Sequence, residues 1–227
     1  EKVAQLVGSV NDFEGTEDVP SVAAICVYPN FVKTVREVLT ASGVQVACVS
    51  GAFPASQSFT EVKIAETALA IAAGADEIDI VLNLGAFLSG DYLEASTEIE
   101  EQKATARGAH LKVILETGAL KEPELIRRAS ILALFSGADF LKTSTGKEYP
   151  GADLRAAYIL CSVLREYKDK YGEQRGVKFS GGIRSAEEAV KYYTLVEAIL
   201  GKEWLDNRFF RIGASSLVGS LQQEILD

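Results

Sequence analysis

Both the fold and the chemistry of this chain are indicated by one stretch, which reads Gly137-Ala138-Asp139-Phe140-Leu141-Lys142-Thr143-Ser144-Thr145-Gly146-Lys147. A helical pattern ends at its first glycine, a short apolar strand follows, and the strand runs into a hydroxyl-rich turn. Side chains alternate between the two faces of a strand, so Lys142 is expected to share a face with Phe140 and Ser144. A lysine on an enclosed face is costly because burial disfavours the charged amine. This cost indicates a function for Lys142.

Two interpretations of Lys142 follow from this stretch alone. A desolvated lysine can lose its proton near neutral pH and attack a carbonyl group, which gives a Schiff base. Alternatively, the side chain extends from the end of the strand and places its charge in solvent. The stretch leaves both interpretations open.

The rest of the chain repeats the pattern of a short apolar strand followed by a helix. The Gly-Ala-Asp connector occurs a second time, at Gly74-Ala75-Asp76, ahead of another apolar run. Apolar runs predict seven strands, which are residues 22–28, 44–49, 77–83, 111–116, the segment beginning at Phe140, 177–180 and 208–212. Helical spacing predicts helices at residues 1–10, 31–42, 60–73, 91–107, 122–135, 153–167, 185–200 and 215–226, with a polar loop at 11–20.

This alternation predicts a parallel sheet covered by helices. A TIM (β/α)8 barrel has about 250 residues, so 227 residues with seven strands fit such a barrel lacking its first strand. A doubly wound open sheet is the alternative. It is disfavoured because no Gly-x-Gly-x-x-Gly follows the first strand, and polar residues gather at the carboxyl ends of the strands. No linker divides the pattern, so one domain over residues 1–227 is expected.

Composition limits the classes of partner. The chain is 48% hydrophobic and 24% charged, as expected for a globular domain, and its net charge of −9 argues against a nucleic-acid surface. No run approaches the roughly 20 apolar residues of a membrane helix, so no membrane partner is expected. Three cysteines without metal-type spacing indicate free thiols in a reducing cytoplasm. The single histidine leaves few ligands for a metal, so no metal is expected.

Two further charged residues are expected to face the barrel interior beside Lys142. Asp79 alternates with Ile78 and Ile80, whose apolar side chains suit packing against helices, so Asp79 points inward. Lys178 precedes Phe179 and is turned inward by the same argument. One aspartate enclosed with two lysines is difficult to explain as filling of the core.

The chemistry of imine formation gives this set a purpose. A free lysine has a pKa near 10.4, and a nucleophile at neutral pH needs that value lowered by about 3 units, or ~4 kcal/mol. Burial lowers it, and a second ammonium at Lys178 lowers it further by repulsion. Asp79 can then move protons between the intermediates. The alternative is a structural ion pair between Asp79 and Lys178.

Three glycine-rich turns follow the last three predicted strands. They are Thr145-Gly146-Lys147, Gly181-Gly182-Ile183-Arg184 and Gly213-Ala214-Ser215-Ser216. Glycine lets backbone N–H groups approach an anion, and a helix N-terminus adds a favourable dipole. Because phosphate sites of TIM barrels often lie after the last two strands, these turns predict a phosphate site.

Other polar residues are interpreted as structural. His110 precedes its predicted strand and is expected at the bottom of the barrel or in a loop, and Trp204 is expected to fill packing space. Lys112 and Glu116 are interpreted as a structural pair or a support for the site. The acidic segment 98–101 is expected to form the solvated face of its helix.

In combination, these motifs resemble the deoxyribose-phosphate aldolase family over essentially the whole chain. The matching stretches are Gly74–Asp79, Leu115–Gly118, Phe140–Lys147, Lys178 with Gly181–Arg184, and Arg211–Leu217. The resemblance implies a class I aldolase, with no cofactor, that reversibly cleaves 2-deoxy-D-ribose 5-phosphate to acetaldehyde and D-glyceraldehyde 3-phosphate in deoxyribose phosphate catabolism.

The resemblance also implies roles for individual residues. Lys142 would form the imine, Lys178 would tune it, and Asp79 would relay protons. The substrate phosphate would be held by Gly146, Lys147, Gly181, Gly182, Arg184, Gly213, Ser215 and Ser216.

This sequence departs from the family pattern in two places. Family members usually carry a strand with Asp and Thr residues ahead of the helix that here occupies residues 1–10. Phe179-Ser180 stands where the family more often has Pro-Ala. Little effect on the chemistry is expected from the second departure, because Phe179 points toward the helices.

Two other functions fit the same residues. One is a different imine-forming barrel that acts on another sugar phosphate, and the other is a barrel that binds a sugar phosphate without turnover. The expected partners are small sugar phosphates and aldehydes. Barrels of this kind commonly pair, so a homodimer is the candidate assembly.

Overall fold

The computed structural model describes residues 1–13 and 19–226, so residues 14–18 of the predicted polar loop lie outside the described part. Seven parallel strands are hydrogen-bonded in chain order. They are β1 (Ala24–Val27), β2 (Gln45–Ser50), β3 (Glu77–Val81), β4 (His110–Ile114), β5 (Phe140–Lys142), β6 (Gly176–Ser180) and β7 (Phe210–Gly213). The strands of a TIM barrel follow one another in this sequential order. In a doubly wound sheet, by contrast, the strand order runs outward in both directions from the first strand.

The sheet is curled. Neighbouring strands lie about 4.8 Å apart, so strands four places apart in a flat sheet would be separated by about 19 Å. Yet Arg211 of β7 donates to the carboxylate of Glu77 of β3 at 3.0 Å. Among the described residues β1 and β7 are not paired with each other. The prediction of a TIM barrel with seven of its strands is confirmed.

Ten α-helices cover the described sheet. They are α1 (Lys2–Asp12), α2 (Val32–Val38), α3 (Thr60–Ala72), α4 (Leu84–Ser89), α5 (Tyr92–Thr105), α6 (Thr117–Leu120), α7 (Pro123–Phe135), α8 (Leu154–Tyr171), α9 (Ala186–Leu200) and α10 (Leu217–Leu226). The eight predicted helices are present with shifted ends. The short helices α4 and α6 were not predicted, because one turn or two carries little periodicity.

Local signals explain where the main helices begin. Pro123 occupies the first turn of α7, where its missing N–H costs nothing. The Asp153 side chain accepts from the N–H of Ala156 at the start of α8. At α9, Ser185 and Glu188 form a capping box, in which each side chain accepts from the other residue's backbone N–H.

The outward faces of the strands form the core with the helices. Ile78, Ile80 and Phe179 are fully buried there, as the alternation predicted. Trp204 is also fully buried and its indole Nε1 donates to the carbonyl of Arg175 at 2.9 Å. The packing role predicted for Trp204 is confirmed.

The two Gly-Ala-Asp connectors adopt the same arrangement at the amino-terminal end of the sheet. The Asp76 side chain accepts from the N–H of Val46 at 2.8 Å, and the Asp76 N–H donates to the Val46 carbonyl at 2.9 Å. Asp139 makes the matching pair with Leu111, at 2.7 and 2.9 Å. Each aspartate therefore joins the start of its own strand to the strand before it.

A cation completes each connector. Arg36 pairs with the Asp76 carboxylate, and Lys103 reaches that of Asp139 at 2.5 Å. The glycines have positive φ values, +104° at Gly74 and +96° at Gly137. A Cβ at either glycine would lie 3.1 Å from the aliphatic stem of the adjacent cation. Glycine is thus required both for the turn and for the close approach of the cation.

Candidate active site

One carboxylate lies at the centre of the barrel interior and contacts three lysines. The Asp79 side chain is fully buried, and its Oδ2 accepts from both Lys142 Nζ and Lys178 Nζ at 2.8 Å. Its Oδ1 accepts from Lys112 Nζ at 2.9 Å. Since Lys142 and Lys178 share one oxygen atom, their amines lie at most two hydrogen-bond lengths apart.

Strand register brings these residues side by side. Asp79 of β3 is the Cα partner of Lys112 of β4, and Lys142 of β5 is that of Lys178 of β6. Lys142 is 5% exposed, so its amine does not extend into solvent. The inward orientation predicted for Asp79, Lys142 and Lys178 is confirmed, while their catalytic roles stay predictions.

A second carboxylate, Glu77, lies in the barrel interior at the amino-terminal end of β3, two residues before Asp79. Its Oε2 accepts from Lys112 Nζ at 2.6 Å, and its Oε1 accepts from Arg211 at 3.0 Å. His110 Nδ1 lies 3.9 Å from Oε1 and belongs to the exposed amino-terminal end of β4. The sequence analysis omitted Glu77 and Arg211, although Glu77 stands two residues before Asp79 and therefore shares its face.

The interior contains more cations than anions. Lys112, Lys142, Lys178 and Arg211 carry up to four positive charges, and two carboxylates, Glu77 and Asp79, face them. Loss of one proton from an amine relieves part of this excess.

The pKa values of Lys142 and Lys178 are shifted in opposite directions. Burial lowers the pKa of Lys142, and the cation of Lys178 lowers it further, against the opposing carboxylate of Asp79. For Lys178, the effect of burial is outweighed by Asp79 and Glu77, and the pKa is raised above its usual value. The sequence argument is correct in direction, but burial contributes more than repulsion by Lys178.

The carboxylate of Asp79 stays ionised at this site. Burial alone would raise the pKa of Asp79, but Lys112, Lys142 and Lys178 together hold it well below its usual range. The same site therefore combines an ionised carboxylate, a charged Lys178 and an amine at Lys142 whose pKa is lowered. This is the combination that a Schiff-base nucleophile needs.

Glu116 supports the loop after β5 rather than pairing with Lys112, so that predicted pair is wrong. The Glu116 carboxylate accepts from the Thr145 hydroxyl at 2.5 Å and from the Thr145 N–H at 3.2 Å. Its backbone is left-handed, with φ of +54°. Burial raises the pKa of Glu116. Register explains the error, because Lys112 lies beside Asp79, whereas Glu116 lies beyond the end of β4.

The turns after β5 and β6 touch each other at the carboxyl end of the barrel. Gly146, Gly181 and Gly182 all have positive φ, between +72° and +90°. A Cβ at Gly146 would lie 3.6 Å from the Cα of Gly181, and a Cβ at Gly181 would lie 2.8 Å from the Cα of Gly151. Two of the three predicted phosphate turns therefore form one continuous rim.

The third turn lies against the lysine site. A Cβ at Gly213 would lie 2.9 Å from Cε of Lys178 and 3.1 Å from Cβ of Ser180, so this position has little room for a side chain. Ser215 and Ser216 are exposed and stand between β7 and α10. The remaining predicted phosphate ligands, Lys147, Gly182 and Arg184, are also exposed at this end.

A fourth buried lysine lies outside the barrel, between α3 and α5. Lys63 is fully buried and its Nζ donates to Glu98 Oε2 at 2.7 Å. The other oxygen, Oε1, accepts from Asn83 at 3.1 Å and Thr60 at 3.2 Å. The prediction that segment 98–101 is a solvated face is therefore wrong at Glu98 and Ile99, because α5 packs against α3 there.

Comparison with known proteins identifies the family. The model of the DeoC/LacD family aldolases matches residues 13–221. The chain belongs to this family. The human protein named deoxyribose-phosphate aldolase is 40% identical over 205 residues, which are 89% of this chain and 64% of that protein. The chain thus spans less than two thirds of the length of the curated relatives it matches.

Solved structures of two proteins titled as aldolases have the same fold. The structure titled "QR15, an Aldolase" has 30% identity and a TM-score of 0.79, covering 99% of this chain and 90% of that one. The deoxyribose phosphate aldolase from Aeropyrum pernix, whose title describes a tetramer, has 27% identity and a TM-score of 0.74, covering 98% and 83%.

Neither a metal site nor a membrane-spanning helix is found among the described residues. Across residues 1–13 and 19–226, no three His, Cys, Asp or Glu side chains are grouped as a metal site requires. None of the described helices has the length and hydrophobicity needed to cross a membrane.

Proposed function

We propose that this chain is the catalytic barrel of a class I deoxyribose-phosphate aldolase that forms a Schiff base at Lys142. The observation that carries the proposal is the sharing of Asp79 Oδ2 by Lys142 and Lys178. Membership of the aldolase family and 40% identity to a protein named deoxyribose-phosphate aldolase support the substrate. The reaction converts 2-deoxy-D-ribose 5-phosphate to acetaldehyde and D-glyceraldehyde 3-phosphate.

The reaction begins with attack of the neutral Lys142 amine on the substrate aldehyde carbon. The resulting carbinolamine loses water and gives a protonated imine. Removal of the proton from the C3 hydroxyl lets the C2–C3 bond break, and its electron pair moves into the imine to give an enamine. D-glyceraldehyde 3-phosphate leaves as the aldehyde. Protonation of the enamine carbon and addition of water then release acetaldehyde and the free amine.

Asp79 and Lys178 serve these steps in different ways. Asp79 contacts the amine that reacts, so its carboxylate can accept and return protons there, directly or through a water molecule. Lys178 stays charged, which holds Asp79 ionised and disfavours a second cation on Lys142. The two roles need no movement of the strands, because Lys142 and Lys178 are neighbours in register.

The phosphate of the substrate is proposed to bind at the rim. The joined turns at Gly146 and Gly181 offer backbone N–H groups, and Lys147 and Arg184 offer positive charge. Ser215 and Ser216 precede α10, whose N-terminal dipole favours an anion. The full set proposed is Gly146, Lys147, Gly181, Gly182, Arg184, Gly213, Ser215 and Ser216.

The proposal extends to the setting of the enzyme. Residues 1–227 form one aldolase domain, and the assembly is a homodimer. The related Aeropyrum pernix aldolase is titled as a tetramer, so light scattering should separate the two states. A cytoplasmic location is proposed because Cys26, Cys48 and Cys161 are free thiols.

Borohydride trapping with acetaldehyde tests the function. We expect one ethyl group on Lys142, located by peptide mapping, because reduction converts the imine to a stable secondary amine. The variant Lys142→Met should take no label, and Lys63→Met, which removes a buried lysine outside the barrel, should label as the wild type does. A label on Lys112 or Lys178 instead, or none at all, would contradict the proposal.

The two alternatives are separated by assay. Offering several aldehyde acceptors in the synthetic direction distinguishes deoxyribose-phosphate aldolase from another imine-forming barrel. Binding of 2-deoxy-D-ribose 5-phosphate without cleavage or trapping would indicate a barrel that binds the sugar phosphate only.

A further inference from the structure

A column of charged residues, consisting of Lys142, Asp79, Lys112, Glu77 and Arg211, runs from the proposed nucleophile toward the amino-terminal end of the barrel. Glu77 connects to Lys112 at 2.6 Å, Lys112 connects to Asp79 at 2.9 Å, and Asp79 connects to Lys142 at 2.8 Å. Arg211 closes the column from β7, at 3.0 Å from Glu77. Glu77 is 1% exposed and lies on the amino-terminal side of Asp79 in β3, away from the phosphate rim, so it does not contact substrate.

The position of Lys112 determines which oxygen of Asp79 is available to the amine of Lys142. It occupies Oδ1, and Oδ2 is left for Lys142 and Lys178. Without an anchor, Lys112 would compete with the other two lysines for the same carboxylate. Glu77 supplies the anchor, because the short contact to its Oε2 holds Lys112 below Asp79.

We propose that Glu77 is a positioning residue for imine formation, and that it acts by holding Lys112 on Asp79 Oδ1 and Arg211 at the base of the barrel. The inference rests on the proposed function. It assigns no contact with substrate to Glu77, and its effect reaches Lys142 through Lys112 and Asp79.

The charged and titratable groups around Lys142 and Glu77 determine the expected sign of each variant. Lys142 is faced by Asp79, Lys178, Cys26 of β1 and Glu116, which lies just beyond the end of β4. Glu77 is faced by Lys112, Arg211 and His110. Removal of a cation from this column should raise the pKa of Lys142, and removal of an anion should lower it.

The test is the pH dependence of the rate at which acetaldehyde and borohydride label Lys142, followed by intact mass. Only the neutral amine attacks, so the rate rises as pH increases through the pKa of Lys142. The rising part of this pH profile is its acid limb. Lys112→Met should move the acid limb to higher pH by about one unit. The isosteric Glu77→Gln should move it to lower pH, and Arg211→Gln, at the barrel edge, should move it to higher pH by less than Lys112→Met.

Lys63→Met is the matched control, since it also removes a fully buried lysine that pairs with a carboxylate. Its acid limb should coincide with that of the wild type even if the variant is less stable. A merely structural role for Glu77 would give the same result for Glu77→Gln. Opposite shifts in Glu77→Gln and Lys112→Met therefore distinguish positioning from stability.

The outcomes separate this inference from the proposed function. A wild-type adduct on Lys142 with unmoved acid limbs, or with limbs that move in the same direction in Glu77→Gln and Lys112→Met, overturns the inference alone. Absence of the wild-type adduct overturns the proposed function and the inference with it. Should Glu77→Gln or Lys112→Met fail to fold, an unmoved limb in Arg211→Gln, which is 12% exposed, is sufficient to reject the inference.

Discussion

The molecule holds two kinds of buried lysine, one in the barrel and one between helices. Within the described part of the chain, Lys63 is the one lysine that contacts the carboxylate of Glu98, and the other side-chain donors to that carboxylate are the uncharged Asn83 and Thr60. Lys142 shares the carboxylate of Asp79 with Lys112 and Lys178. Both lysines are shielded from water, so burial alone does not distinguish them.

The difference lies in the ratio of cations to anions. A one-to-one pair satisfies both charges, and each partner favours the ionised form of the other. Three lysines around one carboxylate leave positive charge uncompensated, which favours release of a proton. For Lys142, burial and the cation of Lys178 outweigh the carboxylate of Asp79, and the pKa of Lys142 is lowered. The lysine proposed to react therefore differs from Lys63 in sharing its carboxylate with two other lysines.

The largest expected effect separates the two sites by activity. Lys142→Met should reduce the cleavage rate by more than about 10³-fold, because no other amine stands at the position of the nucleophile. Lys63→Met should leave kcat of the folded protein within a factor of about two. Steady-state kinetics on both variants, with circular dichroism as the folding check, measures the contrast. Comparable losses in both variants would remove the functional distinction between the sites.

The next prediction concerns the free energy of unfolding, for which the substitution of Lys63 should have the larger effect. Lys63→Met leaves the buried carboxylate of Glu98 without its cation and should lower the free energy of unfolding by about 3–5 kcal/mol. Lys142→Met leaves Asp79 with two lysines and should lower it by less than about 1 kcal/mol. Urea unfolding of the two variants measures both values.

A double variant is the control for this stability prediction. Lys63→Met with Glu98→Leu removes both charges and should recover most of the stability lost in Lys63→Met alone. If Lys142→Met proves the more destabilising of the two single variants, the argument from charge ratio is wrong.

The smallest effect concerns the dependence of stability on pH. The pKa of Glu77 is lowered from its usual value to about 2, because His110, Lys112 and Arg211 outweigh its burial. A depressed carboxyl pKa stabilises the folded state above the unfolded pKa, and this contribution of about 3 kcal/mol is lost as pH falls from about 4.5 to 2. Glu77→Gln should lose less stability than the wild type over that interval, as measured by urea unfolding at each pH. Parallel curves would show that Glu77 is not held ionised.

Alternation along single strands was enough to predict the orientation of the residues that are proposed to react. Ile78 and Ile80 require the helix side of β3, which leaves the interior to Asp79, and the same reasoning applies to Lys178 beside Phe179. The order of strands and helices was also predictable, because buried parallel strands are apolar throughout and helices repeat with a different period.

Contacts between distant strands could not be predicted in this way. The pairing of Glu77 with Arg211 joins β3 to β7 and depends on the curvature of the whole sheet. Of the two interpretations of Lys112 and Glu116, the structural pair was wrong, because the partners of Lys112 depend on the register between β3 and β4. Likewise, Glu98 looks solvated by composition, and only the packing of α5 on α3 buries it against Lys63.

The paired connectors at Asp76 and Asp139 have a consequence for protein engineering. Each fastens two adjacent strands at the end of the barrel opposite the glycine-rich rim. Alignment of those strands therefore does not depend on the loops of the rim. Loops from another aldolase could be grafted there to admit a different acceptor, and the lysines would keep their places.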